Sequence, residues 1–151
     1  MHIRNTVRGA LATLVCVGAL MATAGSASAA ASLTVSGGEV LARGAAVTVS
    51  LSVSCDPLPP PPAGFPAPNV FLGVQISQVV DGGVTEGTGS TSDIICDGAA
   101  HPVDVFVIPT LGGHMTLPFA EGQAFVLASL QACSLPNGCQ SANAGTTIHL
   151  D

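Results

Sequence analysis

Four cysteines, Cys55, Cys96, Cys133 and Cys139, carry the first chemical signal of this 151-residue chain. Zinc sites need closely paired Cys or His ligands, and these spacings match no such pattern. An even set behind an export leader reads instead as two disulfides. Four cysteines allow three connectivities. The short loop Ser134-Leu135-Pro136-Asn137-Gly138 favours Cys133–Cys139, which leaves Cys55–Cys96; the other two pairings stay open. Loop-closure entropy assigns about 4 kcal/mol to the longer link and about 2.4 kcal/mol to the shorter.

Other reactive residue types do not assemble into a known pattern. Past the leader the histidines are His101, His114 and His149, and neither they nor Asp104 and Asp151 follow a metal-ligand spacing. No serine lies in a G-x-S-x-G elbow. Gly87-Thr88-Gly89-Ser90-Thr91-Ser92-Asp93 has the glycines of a phosphate loop but lacks its lysine and following helix, so it reads as a strand edge. Asp81, Glu86, Asp93 and Asp97 would need to gather at one end of the fold to hold calcium, and no EF-hand spacing is present. The expectation is therefore no catalytic residue, no metal and no cofactor. Sugar binding commonly stacks Trp or Tyr on the ligand, and this chain has neither. Its phenylalanines, Phe65, Phe71, Phe106, Phe119 and Phe125, are expected in core or loop packing. Phe71 and Phe106, with Ile108, fall opposite the main apolar faces of their strands. Left uncovered, they would line an apolar patch or cleft.

Residues 1–29 say where this chemistry operates. Arg4 and Arg8 precede an apolar run, Gly9 to Ala22, and Ala27-Ser28-Ala29 supplies a small-residue cleavage site. The run is about fourteen residues, short of the roughly twenty that cross a bilayer. Basic front, short apolar core and A-x-A exit make a cleavable secretory signal, so the expected location is extracellular. Cys16 goes with it. Cleavage after Ala29 leaves nine acids against Arg43 alone, a formal charge of −8. One arginine cannot neutralise a phosphate backbone or hold an anionic lipid surface, which disfavours nucleic acid and membrane as partners. Residues 30–151 are long enough for one domain and one core.

The elements that must position these groups are strands. Val47, Val49, Leu51, Val53 and Cys55 alternate with Thr48, Ser50, Ser52 and Ser54, which puts every apolar side chain on one face. Val70 to Ile76, Val103 to Val107, Ala124 to Leu130 and Ile148 to Leu150 repeat the pattern less cleanly. Ser32–Val35, Glu39–Leu41, Val84–Thr88 and Ser92–Cys96 are shorter candidates. Turn signals fall between them at Ser36-Gly37-Gly38, Asp81-Gly82-Gly83, Asp97-Gly98, Leu111-Gly112-Gly113 and Asn137-Gly138. Seven prolines in residues 57–68 must leave the sheet as a stiff, exposed loop. Short strands without a helical stripe imply an all-β antiparallel sandwich of about seven to nine strands.

The strand Val47 to Cys55, Gly87-Thr88-Gly89-Ser90 leading to Cys96-Asp97-Gly98, Pro118 to Ala124, and Leu130-Gln131-Ala132-Cys133 with Cys139 together carry a resemblance. Over most of residues 32–150 the chain resembles small exported actinobacterial proteins of uncharacterised function with immunoglobulin-like β-sandwiches. It is more loosely similar to enediyne apoproteins, which are acidic exported sandwiches with two disulfides and a ligand cleft. The resemblance implies an immunoglobulin-like fold and assigns no catalytic residue. Immunoglobulin domains also offer a rival disulfide, Cys55–Cys133. The expected function is a non-enzymatic binding or structural module facing an unknown protein or cell-surface partner. The alternative is an extracellular carrier of a small apolar ligand.

Overall fold

In the computed structural model, residues 31–110, 117–135 and 138–151 are described. The leader 1–29 with Cys16, the signal Leu111-Gly112-Gly113, His114 and Asn137 lie outside them. Seven strands follow one another: β1 (Ser32–Leu41), β2 (Ala46–Ser54), β3 (Asn69–Val80), β4 (Gly83–Thr91), β5 (Ala100–Pro109), β6 (Gly122–Ser134) and β7 (Gly138–Leu150). Among the described residues no helix is long and apolar enough to cross a membrane.

The period-two pattern places the core. Val47, Val49, Leu51 and Val53 of β2 are buried, as is Cys55 just past its end. They meet Leu72, Val74 and Ile76 of β3, Val105 and Val107 of β5, and Ala124, Val126, Ala128 and Leu130 of β6. Each fully buried Val or Leu contributes about 1.5–3 kcal/mol, so this seam dominates stability. Buried polar groups are paired. Gln78 donates to the Ala120 carbonyl and accepts from the Ala120 N–H, while the Thr85 hydroxyl donates to the Leu117 carbonyl.

The strands close into a barrel in the order β1-β2-β5-β4-β3-β6-β7, where alternation alone implied two separate sheets. Two short seams make the difference. β4 meets β5 through Gly87–Pro109 and Thr88–Ile108, and β1 meets β7 in parallel at Gly38–Leu150. Glycines permit these approaches. A Cβ on Gly87 would lie 2.7 Å from the Ile108 carbonyl oxygen, and one on Gly38 would lie 2.8 Å from Leu150 Cδ2. The other pairings are antiparallel.

Three local expectations change. Ser36-Gly37-Gly38 is no turn: the register of β1 shifts between Val35 and Gly37, so one strand runs through a bulge and unites Ser32–Val35 with Glu39–Leu41. Ser92–Cys96 is no strand. Its Asp93 N–H turns to a local partner, Thr91 Oγ1, and just past it the Ala99 N–H donates to Asp97 Oδ1. The hairpin turn between Val80 and Val84, expected on Gly82 and Gly83, falls one residue earlier on Asp81 and Gly82, both at positive φ (50° and 79°), while Gly83 begins β4.

Both disulfides are Cys55–Cys96 and Cys133–Cys139, and the rival Cys55–Cys133 is not formed. The proline-rich segment is the expected connection outside the sheet, and its start is pinned. The Asp56 N–H donates to Gln140 Oε1, Gln140 Nε2 donates to the Asp56 carbonyl, and Ser134 Oγ donates to the Pro59 carbonyl.

Candidate functional site

The same alternation that buries Leu72 and Val74 turns Phe71, Gly73, Gln75 and Ser77 outward along β3. Strand register then builds the outer face row by row. Gly73 pairs with Ser90 of β4 and Ser129 of β6, and Ser129 pairs with Asn143 of β7. The next row runs Thr88, Gln75, Leu127, Gly145. The first row is small and polar, so it forms a floor. A Cβ on Gly73 would sit 3.2 Å from the Phe71 ring, which places that ring beside the glycine as a wall. Phe106 and Ile108 of β5 form the opposite wall across the β4–β5 seam.

These residues enclose a cleft of about 890 Å³. That volume lies within the ordinary range for small-molecule sites, roughly 300–1,000 Å³. Phe71, Phe106, Ile108 and Leu127 are 46%, 57%, 54% and 48% exposed. None of the fifteen lining residues is ionisable. The cleft therefore offers apolar walls with hydroxyl and amide groups between them, which suits recognition of an apolar body without proton transfer.

Phe71, Phe106 and Ile108 thus converge as their parity on the strands implied. Of the phenylalanines expected in core or loop packing, Phe119 is buried in the core and Phe65 lies in the proline-rich loop, half exposed; Phe125 does neither, being a strand residue on the outer face and 44% exposed. Phe125 and Leu127 lie on the outward parity of β6, opposite Val126 and Ala128. That parity was readable, but their place beside β3 was not, because it depends on the β3–β6 register.

No protein-family model matches this chain, and no curated protein gives a significant sequence match. Its function must be read from the molecule itself.

The remaining candidates do not join the cleft. His101 bonds Asp97 Oδ1 at 2.8 Å, and His149 lies 3.8 Å from Asp151 Oδ1. The His101 hydrogen bond, followed by the Ala99 N–H, holds the Asp97 carboxyl below its ordinary value. Asp81 occupies the β3–β4 turn, whereas Asp93 and Asp97 follow the far end of nine-residue β4. About 26 Å of strand separates the two ends, so these acids form no calcium site. Among the described residues no three metal-binding side chains gather. Gly87 to Thr91 is extended strand rather than a phosphate loop.

Proposed function

We propose that this protein is an exported, non-enzymatic binding module of immunoglobulin-like build that carries a small apolar ligand in the Phe71–Phe106 cleft. The observation that carries this reading is the cleft itself, an uncharged recess of about 890 Å³ walled by half-exposed aromatic and aliphatic side chains. Soluble proteins do not usually leave such surface uncovered without a use. Export is supported by the leader and by two disulfides, which persist in oxidising compartments. The immunoglobulin-like reading is supported by strand order: β1-β2-β5 and β4-β3-β6-β7 are extensively paired within each group and barely paired between groups.

A protein-facing role is the second reading. It is favoured by Phe65, half exposed on a loop whose start is pinned by side-chain hydrogen bonds.

The carrier reading is tested by titrating the protein with N-phenyl-1-naphthylamine, an uncharged dye that brightens in apolar sites. Saturable brightening is expected, and Phe106→Ser should weaken it about tenfold, the equivalent of some 60 Å² of lost apolar contact. Native mass spectrometry of protein from its host's medium should show added mass that is lost on denaturation. No brightening and no added mass would overturn the reading.

A further inference from the structure

Beyond the cleft floor, one row of the outer face combines charge with an aromatic ring. Ser77 of β3 pairs with Glu86 of β4 on one side and with Phe125 of β6 on the other. Neighbouring strands lie about 4.8 Å apart, so Glu86 and Phe125 flank the serine with backbones about 10 Å apart. Both side chains are exposed. A recess of about 200 Å³ lies here, lined by Ser77, Glu86, Thr110 and Phe125, and it shares Gln75, Thr88 and Leu127 with the main cleft. The shared residues make the two recesses neighbours along one groove, uncharged in the main cleft and carrying the Glu86 carboxylate in the smaller recess. A further recess past Ser77 and Phe125 is lined by Asp81 and Glu121, so negative charge grows toward that end.

Among the described residues the Glu86 carboxylate has no counter-ion. The carboxylates that meet a basic side chain among the described residues are Asp97, beside His101, and Asp151, beside His149. The sole arginine past the leader, Arg43, sits in the turn between β1 and β2. An ammonium group over Ser77 would meet the Glu86 carboxylate on one side and the Phe125 ring on the other, and each attracts a cation. The chain's excess of acids adds a field that draws cations toward the surface.

Resting on the carrier reading, we infer that the ligand is a singly cationic amphiphile: its apolar body fills the Phe71–Phe106 cleft and its amine lies between Glu86 and Phe125. Three features meet at this position: a groove that runs on from the cleft, a carboxylate with no counter-ion among the described residues, and an exposed ring in the same register row.

The test compares two competitors that share one aromatic body, N-ethyl-1-naphthylamine and N-(1-naphthyl)ethylenediamine, which differ by a terminal amine charged at neutral pH. Each displaces N-phenyl-1-naphthylamine from the purified protein. The charged competitor should act at about fivefold lower concentration in low salt, and this advantage should shrink in high salt. Glu86→Gln should remove the advantage and leave dye affinity unchanged. Phe125→Leu, which keeps an apolar side chain there, should reduce it in part. Equal displacement by the two competitors, or an advantage that survives Glu86→Gln, overturns the inference while dye binding still upholds the carrier reading. Failure of the wild-type protein to bind the dye overturns both.

Discussion

Val47, Val49, Leu51 and Val53 of β2, and Phe71, Phe106, Ile108 and Leu127 on β3, β5 and β6, are apolar side chains placed by the same two-residue repeat. The first set is sealed from water and the second is about half exposed. Residue type does not explain the contrast, since both sets would gain by burial. Position does. β2 has partners along both edges and a second layer over its inner face, whereas among the described residues nothing covers the outer faces of β3 and β6. An apolar row with a layer above it makes a core; the same row without one makes a cleft.

The largest break in that contrast is Leu51→Asp. It puts an unpaired carboxylate into the buried seam and should cost about 5 kcal/mol, enough to abolish folding. Loss of dispersed amide NMR signals would show this, and a folded Leu51→Asp protein would refute the assignment of the inner face. The opposite face of the same strand responds differently. Ser50 Oγ donates to Asp104 Oδ1 at 2.7 Å, so Ser50→Asp sets two carboxylates against each other and should cost about 0.5–1 kcal/mol.

Next come the crosslinks. Replacing Cys55 and Cys96 by alanine should cost about 4 kcal/mol, and replacing Cys133 and Cys139 about 2.4 kcal/mol, because the first pair closes the longer loop. Chemical denaturation of the two double variants measures the difference. Equal losses would mean that local strain, rather than loop length, governs both.

The inner face was legible in the sequence because it needs only parity: Val47 to Cys55 declares its buried side without reference to any other strand. Half of the cleft was legible by the same rule, through Phe71, Phe106 and Ile108. The rest was not. Gly73, Ser129 and Asn143 become a floor only in the register of β3, β6 and β7, which spacing along one strand does not specify. Gly37-Gly38 misled for a related reason: glycine marks a chain reversal and a close backbone approach equally well, and Gly38 serves the approach of Leu150. Closure of the barrel went unseen because it hangs on so few residue pairs.

Gly89 joins the two regions and gives a smaller test. It lies in β4 under the cleft, and a Cβ there would overlap the Phe106 carbonyl oxygen. Gly89→Ala should push β5 from β4 and cost about 1–3 kcal/mol. It should also displace the Phe106 wall, so dye affinity should fall even where the protein stays folded. Phe106→Ser should do the reverse, lowering affinity while moving stability by no more than about 0.5 kcal/mol. If Gly89→Ala leaves dye affinity intact, the cleft does not depend on the seam.

The smallest expected effect lies in neither region. Asp97 is exposed in the crossing between β4 and β5, where it accepts hydrogen bonds from His101 and the Ala99 N–H. These hold its folded pKa below the ordinary 3.8. The stabilisation is therefore complete above that ordinary value and is lost as pH falls through the lower folded one. Water screens the pair, so the effect on stability is small. Asp97→Asn should flatten the acid limb of the stability profile at pH values below the ordinary aspartate range, and it should leave dye affinity unchanged at neutral pH. Denaturant midpoints across the acid range would show it. Identical acid limbs for the two proteins would mean that the His101 contact couples to local backbone geometry and not to folding.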